Sequence, residues 1–326
     1  LAAGLGLLLY WLLATVGGRD ALLAQVAARL PPGARLTWRA AEGPLAGPLV
    51  LRGVRLTLPR PRDARCRPTP QAPCATGTLV FTADMLRVQP ALRPLLARTL
   101  RLQALEVRGA HLVLPRDDTP FELPRWPQVL PQIALPLTLE VAALRIDDLR
   151  VQREDAPLLH VRHAGGGLQA GDGWLRVPQL QADTDRGQFR LQGEYRPRDR
   201  YRSDLVATAV LPAPAGHSLP RLGLVVRGDL ARMDVALAGN LPGPTRATLT
   251  LRGDPAAPRW QLRADSAALD PGLLAGGAAG TPWTLALAAN GTGGAARVQG
   301  RLAQGAQTLV LRPSQLRLAD QRLQLQ

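Results

Sequence analysis

Apolar and polar side chains begin to alternate at residue 35, and the alternation continues through most of the chain. The stretches "VRLTL" at residues 54–58 and "TLEV" at 138–141 are typical, because every second residue is aliphatic. Successive side chains of a β-strand point to opposite faces, so this period of two predicts strands with one apolar face. After residue 100 no segment has the length and stripe of a helix that covers such a sheet. The apolar face must therefore pack against itself, another sheet or a ligand.

The alternating stretches identify the residues that share this apolar face. They are Leu137, Leu139 and Val141, Phe189 and Leu191, Leu249 and Leu251, Leu285 and Leu287, and Leu309 and Leu311. A long antiparallel or mixed sheet that curls over its own apolar side fits the pattern best. We therefore predict a mainly β fold with an apolar groove lined by these side chains.

An apolar residue, then Arg or Gln, then Gly recurs along the chain. The glycines of these triplets are Gly53, Gly109, Gly193, Gly228, Gly253 and Gly300. We expect these residues to end short strands, where glycine permits tight turns or bulges. Their irregular spacing argues against a solenoid or a propeller of fixed period.

Three segments are predicted to be helical. The continuously apolar run at residues 1–16 predicts an uncleaved membrane anchor over residues 1–18, with a cleaved signal peptide and a buried helix as alternatives. The following "DALLAQVAARL" places Leu22, Val26 and Leu30 at helical spacing, with Asp20 as the expected cap. The stretch "QPALRPLLARTL" from residue 89 predicts one short interior helix.

Proline distribution indicates the domain organisation. Residues 116–136 are rich in proline and predict a linker between an N-terminal region, 19–115, and a β region, 137–326. The final residues, "LRLADQRLQLQ", stop within an alternating stretch. Open strand edges invite further pairing, so we expect a longer chain of which this is the N-terminal part.

Charge and cysteine content limit the possible partners and the compartment. The net charge is +15 and all forty cationic side chains are Arg. They are spread singly along strands without interleaved aromatic residues, which argues against a nucleic-acid groove and favours a solvated or head-group-facing side. Cys66 and Cys74 flank a Pro-rich loop and predict a disulfide in an oxidising compartment, with two free thiols as the alternative.

No group of residues with catalytic or metal-binding spacing stands out. His160 and His163 lie three apart on a predicted strand, which does not suit joint chelation. The adjacent pairs Asp117–Asp118 and Asp147–Asp148 are interpreted as turn and cap residues. We therefore expect a protein without catalytic activity, cofactor or metal.

Four features, taken in order, resemble the N-terminal region of the TamB family of translocation and assembly module subunits, within the AsmA-like, bridge-like lipid transfer group. They are the apolar N-terminal run, the segment "GPLAGPLVLRGVRL" at Gly43 to Leu56, the segment "LRVQPALRPLLARTLRLQALEVRGAHLVLP" at 86–115, and the late alternating tract "RVQGRLAQGAQTLVLRPSQLRLADQRLQL". The loop at Cys66 and Cys74 departs from the family pattern.

The resemblance implies an inner-membrane-anchored periplasmic bridge with a β-taco-like groove. Phospholipid acyl chains would move along the groove, and the outer-membrane partner would be TamA, an Omp85-type barrel, contacted through a C-terminal region beyond this sequence. A second hypothesis is an assembly factor for outer-membrane proteins or autotransporters that acts by strand addition. A third is a secreted structural or adhesive β protein.

Overall fold

The structure is a computed structural model that describes residues 15–62, 74, 76–91, 98–118, 130–135, 137–274, 280–293, 295–319 and 322–325. These residues form two helices, α1 (Val16–Ala28) and α2 (Pro271–Leu274), and eighteen strands. The strands are β1 (Arg35–Thr37), β2 (Ala40–Glu42), β3 (Leu49–Pro61), β4 (Thr76–Ala91), β5 (Thr99–Leu114), β6 (Thr138–Arg153), β7 (Ala156–Gly171), β8 (Trp174–Thr184), β9 (Gly187–Arg196), β10 (Arg202–Val210), β11 (Arg221–Asp229), β12 (Arg232–Asn240), β13 (Pro244–Arg252), β14 (Arg259–Leu269), β15 (Trp283–Thr292), β16 (Ala295–Gln304), β17 (Gln307–Ala319) and β18 (Arg322–Leu325). The prediction of a mainly β chain with mixed pairing is confirmed.

Helix α1 begins before the predicted cap. The Thr15 hydroxyl accepts a hydrogen bond from the Gly18 N–H at 3.2 Å, and the Thr15 carbonyl accepts one from the Arg19 N–H at 3.0 Å. Thr15 is therefore the N-cap, because its side chain satisfies an N–H that has no partner within the helix. Asp20 lies inside the helix and bonds Arg19, so the predicted cap is wrong.

Two predicted helices fall largely outside the described residues. Of the predicted anchor, 1–18, residues 1–14 are not described. None of the helices in the described part of the chain is long and apolar enough to cross a bilayer. Residues 92–97 of the predicted interior helix also lie outside the described residues. Its first residues are not helical, because Pro90 and Ala91 belong to strand β4.

The chain divides into two compact units. Unit 1 comprises residues 1–121, 137–169 and 182–185, and unit 2 comprises residues 122–136, 170–181 and 186–326. The domain boundaries proposed from the distribution of proline remain predictions.

In unit 1, a helix packs on the strands. Strands β3, β4 and β5 pair antiparallel, β1 and β2 pair with β3, and β5 pairs parallel with β6. Leu23 of α1 packs into one buried cluster with residues of these strands. The other buried members are Leu49, Leu51, Val54, Ala83 and Ala110. Helix α1 therefore covers part of the apolar face of these strands through Leu23.

In unit 1, one residue in each of four neighbouring strands is left out of the backbone pairing, and these four residues lie side by side across the sheet. These residues are Gly53 in β3, Asp84 in β4, Gly109 in β5 and Asp148 in β6, and we call them the break line. Gly53, Gly109 and Asp148 have positive φ angles of 59°, 58° and 54°. Glycine adopts this conformation at no steric cost, and Asp tolerates it better than most residues.

At the break line, the alternation of side chains between the two faces of the sheet shifts by one residue. Leu51 and Val54 are three residues apart, as are Val107 and Ala110, yet all four belong to the same apolar cluster. The strands continue through this position, so the expectation that Gly53 and Gly109 end strands is wrong. Asp147 and Asp148 lie within β6, so their interpretation as turn residues is also wrong.

Unit 2 is an antiparallel series of strands joined mostly by short turns. From β9 to β18 each strand pairs with the next in the sequence. From β9 to β13 the register is continuous, and it shifts once in the β14–β15 pair and once in the β16–β17 pair. Cross-strand partners share a face, so this register fixes which side chains lie together.

The predicted disulfide lies at the edge of the described region. Cys74 is disulfide-bonded. Its predicted partner, Cys66, is outside the described residues.

Candidate functional site: the apolar face of unit 2

The register of unit 2 places eight predicted groove residues on one face of its sheet. They are Phe189, Leu191, Leu249, Leu251, Leu285, Leu287, Leu309 and Leu311. The residues between them, such as Arg190, Thr250 and Ala286, point to the opposite face because side chains alternate along a strand. The predicted residues of four different strands are thus brought together on one surface.

Two rows of small and aliphatic side chains cross this surface at right angles to the strands, and we call them the apolar rows. The first row contains Gly193, Leu205, Val226, Val235, Leu249, Leu262, Ala289 and Val298, each paired with the next. The second row contains Leu191, Ala207, Leu224, Leu237, Ala247, Ala264, Leu287, Gly300 and Leu311. All members are half-buried except Ala289, which is buried, so both rows retain solvent-accessible apolar surface.

Protein side chains close the apolar face along one side of the rows. Leu230, Met233 and Leu251 are buried there, and Leu130 and Trp260 pack against them. This covering includes the segment at 130–132, whose Pro131 carbonyl accepts a hydrogen bond from the Tyr195 hydroxyl at 2.8 Å. Burial raises the pKa of Tyr195, because the ionised phenolate would lose solvation.

On the other side of the rows the covering is incomplete. Phe189 is 37% exposed and Leu309 is 67% exposed. Between β9 and β17, the Thr245 hydroxyl of β13 and the Ser266 hydroxyl of β14 bond each other at 2.7 Å. This hydrogen bond satisfies two polar groups on an otherwise apolar face. The apolar face is therefore covered by protein side chains along one side of the apolar rows, accessible at the rows themselves and partly exposed along their other side.

The opposite face of unit 2 is charged. Ion pairs link neighbouring strands, with Arg227 Nε 3.5 Å from Asp204 Oδ1 and Arg252 Nη2 2.6 Å from Asp234 Oδ1. These pairs are exposed and contribute little stability individually. They keep this side of the sheet hydrated.

The remaining three predicted groove residues lie in unit 1. Leu137 is 40% exposed just before β6, and Val141 within β6 is only 4% exposed. Leu139 and Val141 are paired with Leu100 and Leu102 of the parallel strand β5. Val141 is therefore a core residue of unit 1, and Leu137 is a surface residue.

Two histidine–carboxylate pairs were missed from the sequence. His160 Nε2 lies 2.7 Å from Asp148 Oδ1, and His163 Nδ1 lies 2.7 Å from Asp147 Oδ1. The hydrogen bond with His160 is the main cause of a lowered pKa of Asp148. Strands β6 and β7 are joined by only two residues, so aligning them as a hairpin is the signal that could have revealed both pairs. No set of three or more potential metal ligands converges among the residues that the structure describes.

Comparison with known proteins gives one match. The family model described as "TamB, N-terminal domain" matches residues 87–269, which is more than half of the chain. No curated protein and no solved structure matches significantly. The matched range contains the last five residues of β4, the break-line residues Gly109 and Asp148, and the apolar rows from β9 to β14.

Proposed function

Because the chain belongs to the TamB N-terminal domain family, we propose that it is a lipid-carrying segment of the bacterial envelope that binds phospholipid acyl chains along the apolar rows of unit 2. Transfer is non-covalent in this proposal, so the protein acts without a catalytic residue. The observation that carries the proposal is the accessible, continuous apolar surface formed by half-buried residues of nine strands.

The energetics suit movement of a ligand as well as its binding. Each methylene removed from water contributes about 0.8 kcal/mol without any directional bond. An acyl chain that shifts by one strand along Leu224, Leu237 and Ala247 exchanges one aliphatic contact for another. Apolar rows of this kind hold a chain without fixing its position, as a conduit requires.

The position in the envelope and the partners follow from the family as proposals. Residues 1–18 would anchor the protein in the inner membrane and leave the strands in the periplasm. The outer-membrane partner would be the Omp85-type barrel TamA, reached through a region beyond this sequence.

Site-specific photo-crosslinking tests the proposal on a single strand. A benzoylphenylalanine introduced at Leu285 or Leu287 of the whole protein in cells is expected to yield phospholipid adducts after illumination. The matched controls are Thr284 and Ala286, which lie on the same strand and point to the charged face. Mass spectrometry of the purified protein reads out the adducts.

The outcome distinguishes three cases. Adducts confined to Leu285 and Leu287 support the proposal. Equal lipid labelling at all four positions, or none at any of them, overturns it. Adducts with nascent outer-membrane barrel proteins in place of lipid would support assembly by strand addition.

A further inference from the structure

An open cleft of about 810 Å³ lies chiefly on the charged face of unit 2, across strands β13 to β17. Arg252, Arg259 and Arg297 line it, and no Asp or Glu does. Several uncharged hydrogen-bonding side chains complete the lining, namely Thr250, Gln261, Asn290, Thr292 and Gln315. The cleft therefore carries positive charge and many donors with no internal counter-charge.

Strand pairing forces this concentration of positive charge. Arg252 is the direct cross-strand partner of Arg259, and Arg297 lies between Asn290 and Gln315 on its two neighbouring strands. Like charges directly opposite each other in a sheet destabilise it. Arg252 is neutralised by Asp234, but Arg259 and Arg297 form no ion pair with any described residue. A bound anion would remove this repulsion.

A second cleft on the same face shows the opposite arrangement. It has a volume of about 510 Å³ across β8 to β11 and is lined by four arginines together with Glu194 and Asp204. Glu194 pairs with Arg176 at 3.2 Å and with Arg196 at 3.0 Å, and Asp204 pairs with Arg227 at 3.5 Å. Positive charge in that cleft is thus satisfied by the chain itself.

We propose that the first cleft binds a phosphate-bearing ligand through Arg259 and Arg297. The planar guanidinium group donates two parallel hydrogen bonds to a phosphate, and the Asn290 and Gln261 amides supply further donors. The volume matches sites that take ligands of head-group or phosphosugar size and exceeds what inorganic phosphate fills. The site lies mainly on the face opposite the apolar rows, so it goes beyond the binding of acyl chains.

Binding of two probes to the full chain tests the site. Glycerol phosphate, measured by equilibrium dialysis, represents a water-soluble ligand. The excess binding to phosphatidylglycerol vesicles over phosphatidylcholine vesicles, measured by flotation, represents a lipid head group, because membrane insertion and acyl-chain binding contribute to both kinds of vesicle. The test variant is the double substitution Arg259→Gln with Arg297→Gln. The control is Arg263→Gln with Arg301→Gln, because these arginines lie on the same two strands and the same face, outside the cleft.

The test variant is expected to lose roughly tenfold or more in affinity for the probe, and the control less than about twofold. Selective loss with glycerol phosphate assigns a soluble ligand, and selective loss with vesicles alone assigns a lipid head group; both support the proposal. Equal losses in the two variants reveal attraction to net charge only and overturn it, as does binding of neither probe. The crosslinking at Leu285 and Leu287 does not depend on these arginines, so the two proposals fail separately.

Discussion

Units 1 and 2 are built from strands with the same apolar alternation, yet they cover their apolar faces differently. In unit 1, Leu23 of helix α1 completes a buried cluster with Leu51, Val54 and Ala110. In unit 2, the only described helix is the four-residue α2, and the apolar rows stay half-buried. The strand pattern alone does not distinguish a core from a binding surface, because that distinction depends on what covers the strands.

The largest expected effect compares the stability cost of a buried charge on the apolar face of unit 1 with its cost on the apolar face of unit 2. Val54→Asp in unit 1 places an unpaired carboxylate where the side chain is only 3% exposed, and we expect it to cost about 4 kcal/mol of unfolding free energy. Leu249→Asp in the first apolar row leaves the carboxylate partly hydrated and is expected to cost only about 1–2 kcal/mol. Urea denaturation, with hydrogen exchange measured for peptides of each unit, provides the values. Equal costs would show that the apolar rows are as well covered as the core of unit 1.

The next prediction compares the break line of unit 1 with a hairpin of unit 2. Gly109 and Gly305 both have positive φ angles, but a Cβ at Gly109 would collide with the Asp84 carboxylate, whereas nothing lies near Gly305. Gly109→Ala is expected to cost about 3 kcal/mol through strain and crowding together, and Gly305→Ala about 1 kcal/mol through strain alone. Denaturation of the two variants measures the difference.

An added Asp84→Ala substitution separates the two causes at Gly109. Removing the carboxylate is expected to lower the cost of Gly109→Ala to near that of Gly305→Ala. A cost that stays unchanged in this background would rule out crowding as its origin.

A smaller effect concerns the helix that covers unit 1. Thr15→Ala removes the hydroxyl that caps α1 and is expected to cost about 1 kcal/mol. Thr15→Ser keeps a hydroxyl at this position and is the matched control, expected to cost less. Asp20→Ala does not serve as the control, because it would leave Arg19, whose side chain is only 7% exposed, without its carboxylate partner. Denaturation followed by helical circular dichroism compares Thr15→Ala with Thr15→Ser, and an equal loss in the two variants would contradict the assignment of Thr15 as the cap.

The smallest effect is on protonation at the break line. The pKa of Asp148 is lowered chiefly by its hydrogen bond with His160, so His160→Ala is expected to raise it towards the ordinary value. His163→Ala is the control, because that ring bonds Asp147. A carboxyl with a lowered folded-state pKa stabilises the fold above its unfolded pKa, and this contribution is lost as the pH falls through the folded value. Carbon NMR titration of the carboxyl groups reads the change, and an unaltered Asp148 titration in His160→Ala contradicts the assignment.

The sequence predicted the strands and the shared face of unit 2 because both depend on a local period of two. Leu285 and Leu287 could be assigned to one face by counting, and antiparallel neighbours then fixed their partners. Counting failed in unit 1, where Leu51 and Val54 share a face at a spacing of three. The shift by one residue depends on backbone angles at Gly53 and on matching residues in distant strands, which a linear pattern does not contain.

The polar features were harder to predict for a related reason. Arg259 stands out only when Arg252 is placed opposite it and when no carboxylate is found nearby. In the sequence alone, Arg259 is one arginine in an alternating stretch. It cannot be distinguished there from the arginines of an ordinary solvated face. Thr15 was likewise missed as a cap because the apolar run before it obscured where α1 begins.

The break line has a consequence for how the strands of unit 1 can change in length. Deleting Gly53 alone would move every later residue of β3 one step along β4, and Leu56 would then oppose Thr82 in place of Phe81. Paired side chains must face the same way, so such a frameshift is not absorbed within a single strand. We therefore expect that loss of a residue at this level of one strand has to be matched in the strands paired with it, so that the break line couples the lengths of neighbouring strands.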